Sequence, residues 1–478
     1  MSLTRDEGRR FRYLTSIGRP LDSANAGFFQ RHQSLHEHFF MGVVTTATLP
    51  CAMAVLDGDE YPFLGIRIMR SPELPLGSWL QKTTHLAWLA GEGMRLLPFA
   101  RASRVDDGFA ALDADGRLPH GARAELIHTT RMTHCFALAV IQGIPGYAEL
   151  VDHGVAALQG ALRDAEFGGW FADATRTGDK SAYLHAFVAL AGSSAKVAGR
   201  PAASALLEEA ITILEKYFWS EEEGALRESF SRDWQQEEAY RGANSNMHAT
   251  EAFLALADAT GSTVWLQRAL RIAERVIQGH AATRGHVVVE HFDRSWQALP
   301  DYNDDNRADP FRPYGSTPGH SFEWARLLLH LEAALLRAGL DAPRWLLDNA
   351  RELFARACRD AWCADGTPGL VYTLDWASRP VVRARLHWVH AEASAAAAAL
   401  LWRTGEQVYE DWYRCFWEFC ASHFIDLQNG SWHHELDSDN QPAGSIWPGK
   451  ADLYHAYQAV LLPRLPLAPS MATALVSV

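Results

Sequence analysis

The sequence predicts an all-α protein, an (α/α)6 barrel with short β-hairpins in its loops. Three observations carry that expectation. From Leu80 onward, amphipathic segments of roughly 12–18 residues recur between Gly and Pro breaks, a helical rather than a strand-like period. Only His286–Phe292 (HVVVEHF) and Leu370–Trp376 (LVYTLDW) read as strands. Six segments also share one pattern, His or Arg near a helix start followed by small and aromatic residues: 131–139, 183–191, 246–256, 319–330, 388–398 and 453–461. Their histidines stand at 134, 185, 248, 320, 390 and 455, so the intervals are 51, 63, 72, 70 and 65 residues. Each interval holds one further helix and its loops. Six inner helices around a central cleft, wrapped by six outer ones, fit that repetition better than a solenoid, whose repeats run about 34–47 residues.

Composition narrows the function. The chain has 478 residues, 48% hydrophobic and 21% charged, with 44 Lys plus Arg against 57 Asp plus Glu and a net charge of −13. That balance argues against nucleic acid or an anionic membrane as partner, and the length, nominally enough for about three domains, becomes one barrel once the repeats are recognised. Residues 1–76 lack a helical period and are set apart as an N-terminal extension, with the catalytic barrel over 77–478. Within the extension, Phe39–Leu56 is a poor membrane or signal segment, since Thr45, Thr46, Thr48 and Pro50 interrupt it. Met69 is an alternative start, and removing residues 1–68 should leave turnover intact. Six cysteines without a CxxC pair indicate a reducing cytoplasm and no structural zinc; Cys358/Cys363 and Cys415/Cys420 form C-x4-C pairs of the kind that arise by chance on helices.

The inner helices carry polar residues where a core would want Leu or Ala, because an unpartnered imidazole or carboxylate is costly to bury. Arg131 and His134, His248 and Glu251, and His320 and Glu323 are spaced i, i+3, which places each pair on one helix face. His134, His185 and His390 read as satisfied core histidines. His320 follows Ser316-Thr317-Pro318-Gly319, a turn and helix start; the positive end of a helix dipole favours a neutral imidazole, the form a general base needs. His455 follows a similar entry at Trp447-Pro448-Gly449-Lys450. Seventeen Trp, among them Trp170, Trp388, Trp432 and Trp447, pack a core or form the aromatic walls that hold sugars beside polar rims.

At the sequences Thr130-Arg131-Met132-Thr133-His134, Lys216 to Glu223 (KYFWSEEE), Tyr240-Arg241-Gly242 with Asn244 to His248 (NSNMH), Gly315 to His320 (GSTPGH), Asn429 to Trp432 (NGSW) and Asp452 to His455 (DLYH) the chain resembles the N-acylglucosamine 2-epimerase superfamily, within it the aldose–ketose isomerase branch. The resemblance runs from about Gly77 to Ala474. It implies the same barrel, with His320 and His455 as the catalytic pair passing a proton between C2 and C1 of an open-chain sugar through a cis-enediol. It further implies Arg131, His248, Asn244, Glu251, Glu323, Trp388, Glu392 and His434 around a monosaccharide, no metal or other cofactor, and a homodimer as a possible assembly. Sulfosugar-processing relatives tend to carry Arg where this chain has Pro310 and Gln where it has His434, so the implied reaction is D-mannose to D-fructose, with D-lyxose and D-xylulose as a slower pair. Arg312 swinging in to bind an anion keeps sulfoquinovose isomerisation as the alternative, beside 2-epimerisation. A glycoside hydrolase on the same barrel would instead need two carboxylates flanking the cleft.

Overall fold

The computed structural model describes residues 72–451 and 453–477. Most of the N-terminal extension, the Phe39–Leu56 segment, Met69 and Asp452 lie outside the described residues.

The described residues are mostly helical, with short strands in the connections. Six inner helices, α2 (Leu126–Ile141), α4 (Ala182–Val197), α6 (Ala243–Thr260), α8 (Pro318–Arg337), α10 (His387–Thr404) and α12 (Tyr454–Leu461), alternate along the chain with six outer ones, α1 (Thr83–Ala100), α3 (Ala148–Gln159), α5 (Ala203–Ile213), α7 (Val264–Ala273), α9 (Trp345–Ala361) and α11 (Gln407–Phe419). The inner helices pack in the order α2, α4, α6, α8, α10, α12 and back to α2, which closes the barrel. Each outer helix lies on an inner neighbour in sequence, α1 pairing with α12 across the chain ends, and a short α13 (Met471–Val476) packs on α2, α4 and α6.

Side-chain size explains the two layers. α10 reads HWVHAEASAAAAALL, and its run of small residues lets neighbouring helices approach on every side, so His387 to Leu401 are all buried. On α11, Tyr409, Tyr413, Phe416 and Trp417 fall at i, i+4, i+7 and i+8 and form the buried stripe of an amphipathic outer helix.

Strands are shorter than expected. Of the run from His286 to Phe292 only its end forms a strand, His291–Asp293 against Tyr240–Gly242, and of the run from Leu370 to Trp376 only Thr373–Leu374 does, against Pro380–Val382, with isolated bridges from Leu370 to Trp362 and from Leu374 to Ser316. Other apolar residues of both runs, such as Val288, Val289 and Val371, are buried without belonging to a strand, a fate that period-2 patterning does not distinguish from a ladder.

Four hairpins or loops are pinned to inner helices by one device. The fourth residue of α2, α4, α6 and α10 is Thr129, His185, Asn246 and His390 respectively, and each side chain accepts a main-chain N–H from the connection before its helix: Phe109 at 3.1 Å, Trp170 at 3.2 Å, Leu226 at 2.8 Å and Leu370 at 3.0 Å. His185, Asn246 and His390 also reach the carbonyl four residues back, at Ser181, Gly242 and Leu386. These pins hold the connections over the N-terminal ends of the inner helices, where the site lies.

Candidate active site

Arg131, Asn244, His248, His320, Glu323, Trp388 and His455 converge on one pocket at the N-terminal ends of the inner helices, together with Tyr183, Pro310, Phe311, His387 and Trp447. The space between them is about 30 Å3 and adjoins a chamber of about 220 Å3 that shares Tyr183, Asn244, Phe311 and His320.

The local sequence explains how His320 is presented. Gly315 has φ +88°, and a Cβ there would overlap the Leu374 carbonyl, with which the loop bridges through Ser316. Pro318 begins α8, supplying a fixed φ at a position where a missing N–H costs nothing. Gly319 is needed for a different reason: a Cβ would overlap the Trp388 ring, which packs on the glycine. The indole therefore stands within 5.2 Å of the His320 ring and 5.8 Å of the His455 ring, centroid to centroid.

Both catalytic candidates are oriented by a buried carboxylate. His320 Nδ1 donates to Glu290 Oε2 at 2.9 Å, and His455 Nδ1 donates to Glu392 Oε1 at 3.0 Å. A carboxylate only accepts, so each contact fixes the Nδ1–H tautomer and makes Nε2 the basic nitrogen. Glu392 is fully buried, which alone would raise its pKa; Arg326 and His455 outweigh burial and hold it below the ordinary carboxylate range.

Three of the expected residues support the lining from behind. Glu392 backs His455. Glu251 accepts from the Tyr454 hydroxyl and, at 3.2 Å, from Gln458, and hydrogen bonding together with the Arg326 charge holds it well below the ordinary range against its burial. His434 is 2% exposed and stacks on His387, ring centroids 4.1 Å apart.

Glu323 behaves oppositely. Burial and the negative charge of Glu392 push its carboxyl well above the ordinary range, which favours the protonated form that can donate. Burial lowers His248 to about 4, leaving it neutral. Arg131 donates to the Tyr183 hydroxyl at 3.0 Å and lies over the Phe187 and Tyr454 rings. The set thus offers oriented bases, a cation, a neutral acid donor and an aromatic wall. His248, Glu251 and Glu323 have ligand atoms within 4.8 Å of one another, a spacing that suits a metal ion; the Arg326 guanidinium, 3.8 Å from each of those carboxylates, already supplies positive charge there.

The core readings of three histidines agree with the structure. His134 Nδ1 lies 2.7 Å from the Ser194 hydroxyl, deep in the barrel, and His185 and His390 are pins. Sequence reasoning missed Glu290, His387, Tyr183, Phe311 and Arg326. Arg326 lies three residues beyond Glu323, the same spacing that had linked His320 to Glu323; Glu290, the one acid closing an apolar run, carried no periodic signal.

A model of the N-acylglucosamine 2-epimerase (GlcNAc 2-epimerase) family matches residues 108–459. A D-mannose isomerase of Pseudomonas cannabina pv. alisalensis is 65% identical over 401 residues, 83% of this chain and 97% of that protein. One from Thermobifida fusca is 53% identical over 408 residues, 84% of this chain and 99% of that protein. A crystal structure of a D-mannose isomerase superposes with a TM-score of 0.73 at 30% identity, covering 79% of this chain and 97% of the other.

Proposed function

Because the chain belongs to the N-acylglucosamine 2-epimerase family, we propose that it is an aldose–ketose isomerase that interconverts D-mannose and D-fructose, with D-lyxose and D-xylulose as a slower pair. The observation that carries the site assignment is the matched pair of imidazoles, His320 on Glu290 and His455 on Glu392, beside one indole. In the open-chain sugar one neutral imidazole takes the proton from C2, the C2–C1 enediol forms, and the proton is delivered to C1; the other imidazole carries the proton between O1 and O2. The oxygen that gains charge is met by Arg131 and by the protonated Glu323, donors already in place before charge develops. Trp388 holds the apolar face of the sugar, and Asn244 and His248 supply hydrogen bonds to its hydroxyls.

A neutral sugar is supported over a sulfonated one. Pro310 lines the pocket where a second fork would be needed, and Arg312, in the wall of the adjoining chamber, is engaged by Glu238 at 2.8 and 3.1 Å and lies 3.5 Å from Glu228, over the Tyr240 ring. Measured side by side, kcat/KM for mannose exceeds that for sulfoquinovose by at least about a hundredfold, the cost of an anion left without a bidentate partner; a preference for the sulfosugar overturns this reading. Quantifying fructose against glucose as product separates isomerisation from 2-epimerisation. We assign the enzyme to the cytoplasm; no helix among the described residues is long and apolar enough to cross a membrane.

A further inference from the structure

Beneath the sugar pocket lies a charge cluster on which the proposed proton transfers do not themselves draw. Arg326, on α8 and 1% exposed, is surrounded by carboxylates from three inner helices. Its Nε donates to Glu392 Oε2 of α10 at 2.9 Å; its Nη1 stands 3.8 Å from Glu251 Oε1 of α6 and its Nη2 3.8 Å from Glu323 Oε1 of its own helix. Arg326 does not line the sugar pocket. It borders a separate cavity of about 40 Å3 behind the cluster, shared with His134, Ser194 and His330, so it is screened from a sugar bound between the imidazoles.

We infer that Arg326 is a positioning residue for the isomerisation, acting on His455 through Glu392. Glu392 is gripped from two sides, by Arg326 on Oε2 and by His455 on Oε1. Those two donors fix the plane of the carboxylate, and the plane in turn fixes the His455 ring and its Nδ1–H tautomer. A carboxylate this deeply buried stays ionised only with a cation beside it. Without the guanidinium, Glu392 takes up a proton or turns away. The His455 tautomer is then no longer dictated, and the fraction of molecules with a basic Nε2 toward the sugar falls. The other groups facing the cluster cannot substitute, since Glu251 and Glu323 are acids, Tyr454 donates to Glu251, and burial lowers both His248 and His330 far enough that they stay neutral.

This inference rests on the proposed role of His455 in the isomerase reaction. A merely structural guanidinium would, on removal, lower stability and leave turnover per folded molecule unchanged. The distinguishing experiment is a double-mutant cycle of Arg326→Met, Glu392→Gln and the pair, with kcat and KM for mannose normalised to folded protein. Each single variant should lose about ten- to a hundredfold in kcat with KM changed less than about threefold, and the pair should lose no more than the worse single. Arg326→Lys, which keeps the charge but presents one point donor rather than a fork, should recover part of kcat. If Arg326→Met does not fold, the same cycle built on Arg326→Lys carries the test. Losses that multiply in the pair, or a kcat within about twofold of the parent, overturn the inference. A parent chain that makes no fructose overturns the reading beneath it; an active parent with multiplying losses overturns this inference alone.

Discussion

His320 and His455 belong to the same repeating pattern as His185 and His390, yet the two pairs do opposite work. In all four, Nδ1 donates to an oxygen. In the first pair that oxygen belongs to a buried carboxylate, Glu290 or Glu392, and the ring lines a pocket. In the second it is the carbonyl four residues back on the same chain, and Nε2 is taken by a main-chain N–H. A carboxylate behind the ring sets its tautomer and orientation at the pocket; a carbonyl on one nitrogen and an amide on the other leave an imidazole with nothing to do but hold a loop.

Alanine at each of the four positions should separate the pairs most sharply. His320→Ala and His455→Ala should each lower fructose formation by about 10³-fold or more, the span of a positioned acid–base group, with an unchanged urea midpoint. His185→Ala and His390→Ala should do the reverse, costing about 1–3 kcal/mol of stability for a buried N–H left without acceptor while kcat stays within about twofold. Full activity in His320→Ala or His455→Ala breaks the comparison. A smaller effect tests the carboxylate behind the first pair: Glu290→Gln keeps the shape but replaces a charged acceptor by a neutral one, worth about 1.5–3 kcal/mol, and kcat should fall about ten- to a hundredfold with little change in melting.

The smallest effect is on pH dependence. Burial lowers His185 and His390 to about 3, against an ordinary value of 6.5. Below 6.5 the unfolded chain therefore binds protons that the folded chain refuses. Their contribution is complete above pH 6.5 and drains away as pH falls toward 3. His390→Gln removes one such group, so the urea midpoint of that variant should decline less steeply between pH 6.5 and 4.5 than the parent's; an identical slope would show that His390 is protonated in the fold.

The barrel was legible in the sequence because its repeat is long and its inner helices are marked by small residues and misplaced polar ones. The spacing rule i, i+3 found Arg131, His248, His320 and Glu323, which do meet in the pocket. It could not rank the six histidines, because His185 and His390 occupy the fourth position of their helices while His320 is third and His455 second in theirs, an offset smaller than the uncertainty of any helix start read from sequence. Nor could it find Glu290, whose contact with His320 joins an extended loop to a helix 30 residues on. His434 was placed at the sugar on resemblance, and stands one ring further out, under His387.

The pins at Thr129, His185, Asn246 and His390 have a consequence for how such a mouth changes over time. Each ties its own connection to its own helix, and three residue types perform the same task. The rim is therefore built in sectors that are anchored separately. A loop can be lengthened, recharged or replaced in one sector, and with it the preference for one sugar over another, without disturbing the anchorage of the neighbouring loops.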